Sequence, residues 1–371
     1  MKPRLLFVAR TRYRLSLDAS LAAKWDALDE AFETRVLAAA ERSSPRSDGR
    51  FVLAGPVRPK ALDGPLFYVR LPLRVARELR KRPADAVVAQ SPYEGLGALV
   101  GRSLARSDAA LVIEVHGDWR TFTRLYGSAA RRLLSRVADA LAAAALRRCD
   151  GIRTVSPYTS RLVRELGLEP DAEFAAYMDL DRFLAPVVPL PDVPQALFVG
   201  VLERYKNVDG LVEAWREVAR ATPSARLLIV GEGTLRPLVE ELVAELPDRV
   251  AWRPRLSVPE VAAALDASSF LVLPSRSEGM GRVVVEAFCR GRPVLGARVG
   301  GIVDLVSDEE SGLLVTPTPP EIAAAIRRLV SEPPLNERLG AGARASADAL
   351  LVSPEEFTTR MVALVRGLRT G

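Results

Sequence analysis

The chain has little of what metal centres and disulfide scaffolds are built from: two cysteines and one histidine among 371 residues. Cys149 and Cys289 stand far apart, with no CxxC or Cys/His companion, so a structural zinc and a disulfide framework are excluded. His116 is the single histidine, which excludes a histidine-rich metal site. No apolar run reaches the roughly 18 to 20 residues that cross a bilayer. The longest Ala/Leu stretch, 138–146, is bounded by Arg136 and Arg147 and reads as a buried helix. The first apolar stretch is too short for a signal peptide and runs straight into Arg10, Arg12 and Arg14. A cytoplasmic chain is the expectation. Lysine is scarce too, with five among 52 basic residues.

What is present suits a folded protein. Hydrophobic residues make up 49% and charges are spread along the chain, so it forms a core rather than staying disordered. The length fits two domains of ordinary size. Charge is uneven: residues 1–188 hold 31 basic and 22 acidic side chains, a net +9, while 189–371 hold 21 and 24, a net −3. A basic first half fits an anionic partner: lipid head groups, a phosphorylated acceptor or nucleic acid. A solvated arginine-rich surface, set by genomic codon bias, fits it equally.

Short apolar runs alternate with helical periods from end to end, the pattern of parallel α/β sheets. Strands are expected at Leu5–Ala9, Ala86–Ala89, Leu111–Val115, Gly151–Val155 and Glu173–Ala176, with amphipathic helices between them, as at Glu94–Arg106 and over 123–148. The segment 183–194 then carries four prolines, through which neither a helix nor a central strand can run. We read 1–185 as a first Rossmann-like domain on the acceptor side, 186–195 as a linker and 196–350 as a second, nucleotide-sugar-binding domain. Residues 351–371 form a last helix that packs back on the first domain. Strands of the second series are expected at Ala196–Val201, Ala225–Val230, Val250–Trp252, Phe270–Leu273, Pro293–Leu295 and Leu313–Val315. Two doubly wound domains of this kind face each other across a cleft, and ligands bind at the carboxyl ends of their strands.

The densest chemistry lies in 273–293. An apolar strand ends at Pro274, and a polar loop with Glu278, Gly279, Met280 and Gly281 opens into a helix that holds Arg282 and Glu286. Glycines let backbone amides approach a ligand, and the free N–H groups of a first helical turn favour an anion such as a diphosphate. Glu286 lies about a turn and a half inside the helix, so the two carboxylates can accept hydroxyl groups on either side of the phosphates. The same residues also fit a carboxylate that merely complements the helix dipole and a second that is solvated. A second segment, Phe198 to Leu211, has a strand ending at Gly200, a polar turn with Arg204 and Lys206, and a helix from about Asn207. An ammonium before a helix opposes the dipole, and an anion bound nearby explains it; a solvated lysine is the plainer alternative.

These segments resemble the retaining glycosyltransferases of family 4, whose fold is the two-Rossmann-domain GT-B architecture. Glu278 and Glu286 match the family's E-x7-E element, Gly200 to Lys206 its strand–Gly–turn–Lys element, Gly231-Glu-Gly233 its GxG segment, and Gly300-Gly301-Ile-Val-Asp304 its GGxxE. In the first half 115–118, 154–160 and 178–183 resemble family segments more weakly. The resemblance implies a hexosyltransferase using a nucleotide-diphosphate-sugar donor, with Lys206 neutralising the diphosphate. Glu286 would bind the ribose, Glu278 a sugar hydroxyl, and Gly279, Met280, Gly281 and Arg282 would line the sugar and phosphate. His116 would face the reacting sugar. Three positions depart from the family: Val201 stands where an arginine follows the strand-ending glycine, Ala9–Tyr13 replaces a glycine-rich loop, and Asp304 replaces glutamate. Arg204 is the substitute cation we expect.

No cofactor or metal is expected, since lysine and helix amides can absorb the leaving-group charge. Asp179-Leu-Asp181 looks like a DxD metal motif but sits in a context resembling a family hinge segment. The acceptor is open: a lipid, a cell-wall precursor or a small natural product. An anionic membrane surface is a further expected partner, through Arg74, Arg77, Arg80, Lys81 and Arg82 or through Arg10, Arg12 and Arg14, placing the chain peripherally on the inner face. The rival readings are a nucleotide-sugar epimerase of GT-B-like fold and a basic nucleic-acid-binding protein. The second rests on a pI of 9.6 without any recognition motif.

Overall fold

In the computed structural model residues 2–42, 44–120 and 129–368 are described; the part of the expected 123–148 helix before residue 129 lies outside them. The chain separates into two compact units, Met1–Tyr177 with Val352–Gly371, and Met178–Leu351.

The first unit is built on a parallel sheet of β1 (Arg4–Tyr13), β2 (Glu33–Ala40), β3 (Phe51–Ala54), β4 (Ala86–Ala89), β5 (Ala110–Val115), β6 (Gly151–Thr154) and β7 (Ala172–Glu173). The order is β3-β2-β1-β4-β5-β6-β7. Parallel neighbours need crossovers, supplied by α1 (Ala19–Ala31), α2 (Lys60–Lys81), α3 (Pro92–Ala105), α4 (Ala129–Leu146) and α5 (Pro157–Arg164). Helices cover the centre of the sheet, and β4 is buried along its whole length, which is why Ala86–Ala89 reads as one unbroken apolar run. Two strands were not anticipated. β2 ends in Ala38-Ala39-Ala40, residues of high helix propensity, yet each is at most 6% exposed between β1 and β3, and this burial decides its conformation. β3 is only four residues long and gives almost no periodicity. The expected strand at Glu173–Ala176 is shorter and earlier, at Ala172–Glu173.

The second sheet consists of β8 (Gln195–Val199), β9 (Arg226–Val230), β10 (Val250–Arg253), β11 (Phe270–Leu273), β12 (Val294–Ala297) and β13 (Gly312–Val315), in the order β10-β9-β8-β11-β12-β13. Its helices are α6 (Val208–Ala221), α7 (Arg236–Glu245), α8 (Val258–Asp266), α9 (Arg282–Cys289), α10 (Ile302–Leu305), α11 (Pro319–Ser331) and α12 (Pro333–Ala347). All pairs in both sheets are parallel, giving the two doubly wound layers read from the sequence. Each sheet reverses its winding once, between β1 and β4 in the first and between β8 and β11 in the second.

The proline-rich stretch lies in the second unit and is held by two buried arginines. Arg290 donates to the carbonyls of Ala185 at 2.7 Å and Pro186 at 3.2 Å, and Arg292 to those of Val188 at 3.0 Å and Pro189 at 3.2 Å. A segment that cannot join a sheet still has acceptors to satisfy, and guanidinium groups supply the donors.

The last helix, α13 (Pro354–Gly367), begins at Ser353, whose hydroxyl accepts the Glu356 N–H, and belongs to the first unit. It buries Phe357 and Met361 to 2% and 0% exposure, with the Phe357 ring 5.8 Å from that of Phe174. Phe357→Ala is therefore expected to destabilise the first unit by about 3–5 kcal/mol. Chemical denaturation read by circular dichroism checks this: an unchanged midpoint would mean that the helix is dispensable to the fold.

Candidate functional site

At a winding reversal the loops after the two central strands diverge to opposite faces and leave the strand ends open. In the second unit those loops follow β8 and β11, and they carry the residues that the sequence singled out. After Gly200, Arg204–Lys206 forms a short 3₁₀ turn, and Asn207, with φ of 56°, turns the chain into α6. The buried Asn207 Nδ2 donates to the Pro317 carbonyl at 3.0 Å, which fixes this bend. On the other loop Glu278 reaches back so that its carboxylate receives the Lys206 ammonium, both side chains being more than four-fifths buried. A mostly buried ammonium is tolerable because it is paired, and removing one partner strands the other charge.

Sequence reasoning missed what holds these loops together. Arg276 makes a two-pronged contact with Asp209, each arm at 2.9 Å, while donating to the Arg204 carbonyl at 2.8 Å; its backbone N–H bonds to the Tyr205 carbonyl at 2.7 Å. Asp209 is correspondingly held below the usual carboxylate range: burial would raise it, but the hydrogen bond and charge of Arg276 outweigh that. Two glycines complete the support. A side chain on Gly231 would meet the Gly200 carbonyl oxygen at 1.8 Å, and one on Gly300 the Glu278 carbonyl oxygen at 2.1 Å. Gly300 also has φ of +57°, so only glycine allows the backbone to buttress the Glu278 loop there.

Gly281 precedes α9 in a left-handed conformation, and Gly279 and Met280 are half-buried in the loop before it. Glu286 is buried on α9, with Oε1 accepting from Arg282 Nε at 2.7 Å; Arg282 is otherwise exposed and its Nη2 lies 3.3 Å from the Asp179 carbonyl. Arg204 points to solvent and joins no ion pair among the described residues. The Asp179 carboxylate accepts the Asp181 backbone N–H at 3.0 Å, at the entry to a short 3₁₀ turn. No group of three or more His, Cys, Asp or Glu side chains is clustered for metal binding among the described residues.

His116 belongs to the first unit. A cavity of about 810 Å³ opens there at the reversal between β1 and β4, lined by residues that include Arg10, Tyr68, Tyr93, Glu94, His116 and Asp118. Thus Arg10–Tyr13, within the departure from the family's glycine-rich loop, forms one wall. The charges are mostly spoken for: Arg12 pairs with Asp63, Asp118 with Arg120, and Glu94 accepts the Tyr68 hydroxyl at 3.1 Å. Arg10 lies over the Tyr68 ring. Tyr13 is pushed up to about 12, by burial first and by the nearby Glu114 second.

His116 Nε2 lies 3.0 Å from Glu114 Oε2, and Glu114 also binds Arg153 of the neighbouring strand, with only 4% and 1% of those two side chains exposed. The signal was in the sequence: a carboxylate in the middle of the apolar strand Leu111–Val115 requires a partner, and Arg153 stands opposite it on β6.

Two family models match the chain. A model described as glycosyl transferases group 1 matches residues 185–346, and one described as glycosyltransferase family 4 matches 21–172. The chain belongs to the family 4 glycosyltransferases. It is 34% identical over 157 residues to an alpha-D-kanosaminyltransferase of Streptomyces kanamyceticus, covering 42% of this chain and 41% of that protein. It is 33% identical over 222 residues to a 2-deoxystreptamine glucosyltransferase of the same organism, covering 55% and 57%. The chain thus spans about half the length of these curated relatives, or less. Among solved structures, sucrose-phosphate synthase from Thermosynechococcus elongatus superposes over 100% of both chains with a TM-score of 0.81 at 23% identity. Anabaena HepE, in complex with UDP-glucose, covers 97% of this family 4 chain and 99% of its own, with a TM-score of 0.71 at 16% identity. These likenesses establish the GT-B fold.

The Glu114 cluster gives a pH prediction. Burial alone would raise the Glu114 carboxyl, but the charge of Arg153, the hydrogen bond from His116 and the charges of His116 and Lys24 hold it well below the ordinary range. A depressed carboxylate adds stability above its unfolded value, near 4.5, that is lost as pH falls toward the folded one. The stability gap between wild type and Glu114→Gln is therefore expected to shrink by about 1–2 kcal/mol from pH 5 to pH 3. Urea unfolding at both pH values measures it; a gap independent of pH would show that the folded protein does not hold the Glu114 carboxyl below its unfolded range.

Proposed function

We propose that this family 4 chain is a retaining, metal-independent glycosyltransferase that moves a hexose-type sugar from a nucleotide-diphosphate-sugar to a hydroxyl group. The observation that carries the reading is the meeting of Lys206 and Glu278 where the second sheet reverses, with Glu286 buried a turn and a half further on. In transfer the anomeric carbon leaves the diphosphate, so negative charge grows on the leaving group. Lys206 shares its ammonium with that charge, and the amides of Gly279–Gly281 and the first turn of α9 add donors without reorganisation. Glu278 is left to accept a sugar hydroxyl, and Glu286 the ribose hydroxyls. Arg204, exposed and in no ion pair among the described residues, stands in for the family arginine that Val201 replaces. His116 contributes from the first unit. A uridine diphosphate donor is the first to try, given the UDP-glucose bound by HepE. The acceptor is a small polyhydroxylated molecule held in the 810 Å³ cavity, a reading supported by its hydroxyl-rich lining and by a relative named for 2-deoxystreptamine.

Release of UDP and glycoside formation, followed with UDP-glucose and a panel of cyclitols in excess EDTA, test the proposal. Complete loss of activity restored by magnesium would overturn the electrostatic scheme, and turnover without an acceptor would favour the epimerase reading. Lys206→Ala is expected to lower kcat/KM by roughly 30- to 1000-fold, the worth of one phosphate contact that strengthens in the transition state. Arg204→Ala is expected to fall in the same range, with partial recovery when arginine is added at Val201. A near-silent Arg204→Ala beside a crippled Lys206→Ala would leave Lys206 as the only cation from this loop.

The membrane expectation takes a sharper form. Arg74 is turned inward, with Nη2 donating to the Val52 carbonyl at 2.8 Å, and Arg12 is bound to Asp63, so neither belongs to a free basic patch. On α2 the exposed residues are instead Arg70, Arg77, Arg80 and Lys81, beside Leu62, Val69 and Leu73, while Asp63 and Glu78 are buried. We expect salt-sensitive binding to anionic vesicles through this face, weakened by Arg77→Glu with Lys81→Glu. Equal sedimentation with anionic and neutral vesicles at low salt would end the idea.

A further inference from the structure

The most buried ion pair described in the first unit has no part in donor binding, yet one atom of it touches the cavity's histidine. Arg153 is fixed from three sides: Nη2 donates to the carbonyls of Phe174 at 3.0 Å and Ala175 at 3.1 Å, and the guanidinium lies 4.1 Å from the Phe174 ring centroid and 5.1 Å from that of Phe357. Its Nη1 holds Glu114 Oε1, which leaves Oε2 directed at His116 Nε2, 3.0 Å away. The other charged or titratable groups facing Glu114 are Lys24 on α1 and Tyr13 on β1.

We propose that Glu114, anchored by Arg153, is a positioning residue for His116: its Oε2 accepts a hydrogen bond from the Nε2–H and leaves the Nδ1 lone pair to accept a substrate hydroxyl in the cavity. The arrangement has the logic of any carboxylate that orients an imidazole, fixing which nitrogen carries the proton and where the other one points. Nδ1 has no protein partner among the described residues, and the His116 side chain is 38% exposed. The anchor is firm because the Arg153 guanidinium packs against two aromatic rings, one of them from the last helix. The substrate half of this inference rests on the function proposed above; the Glu114–His116 link does not.

The chain's single histidine makes the test direct, because untagged protein gives one imidazole spin system. In wild type the Nε2 proton is expected as a downfield, slowly exchanging resonance in nitrogen-15 spectra at neutral pH. In Glu114→Gln, with folding checked by circular dichroism, that resonance is expected to weaken or vanish. Over the same change kcat/KM for transfer is expected to drop roughly 10- to 100-fold, with the donor KM held within about twofold. His116→Ala added to Glu114→Gln is expected to cause little further loss, since the two act as a unit. If Glu114→Gln alone fails to fold, Glu114→Gln with Arg153→Met removes both buried charges together, and the same readouts apply. An unchanged imidazole resonance, or losses that multiply independently, would overturn the proposal. If no donor and acceptor pair reacts at all, the functional reading fails while the spectrum still decides the Glu114–His116 link.

Discussion

The structure depends on one topological constraint: a parallel sheet covered by helices on both faces must reverse its winding somewhere. At that point two loops leave neighbouring strands in opposite directions, and no crossover covers the strand ends. In the second unit the reversal falls between β8 and β11, so Lys206 and Glu278, 72 residues apart in sequence, meet as an ion pair. In the first unit the reversal falls between β1 and β4, and the 810 Å³ cavity opens there. Chemistry-bearing side chains gather at these ends because the central strands are largely buried beneath helices.

Open strand ends have to be kept in shape, and the chain does this with arginine. Arg276 ties the two loops of the second unit, Arg290 and Arg292 hold the proline-rich segment, and Arg153 anchors Glu114. A planar guanidinium offers five donors in a fixed fork, so it can satisfy several carbonyls and a carboxylate at once. Much of the basic excess of this protein is therefore structural, and net charge alone overstates the surface available to an anionic partner. The exposed face of α2 is the exception, since its acidic residues are turned inward.

Much of the fold was legible because buried parallel strands print as unbroken apolar runs, as in Ala86–Ala89 and Phe270–Leu273. β2 was not legible, because in Glu33-Thr-Arg-Val-Leu-Ala-Ala-Ala40 only Thr34 and Val36 favour a strand against three alanines, and its conformation is imposed by neighbours. Lys206 and Glu278 stood out because polar side chains in loops between two apolar elements lack a packing explanation, and Glu286 because it is a carboxylate in a largely apolar helix. Arg276 and Asp209 did not, since a surface arginine and an aspartate in the first turn of a helix each have ordinary explanations until their contact is seen. Glu114 and Arg153 could have been found. Each interrupts an apolar strand, and two buried charges of opposite sign on consecutive strands of one sheet imply each other.

The same habit of using arginine gives Lys206 its meaning. Every other lysine, at positions 2, 24, 60 and 81, lies in the first unit, so Lys206 is the only one in a unit that uses arginine for its structural clamps. Contact with Glu278 does not require lysine; arginine pairs with carboxylate at least as well, and through two donors. What lysine offers instead is a compact ammonium on a flexible stem, able to serve a carboxylate and a second anion from one position without a fixed fork. A purely structural pair gains nothing from that freedom. A pair that must share its cation with a leaving group does, and this makes position 206, more than the number of charges around it, the point on which the transferase reading rests.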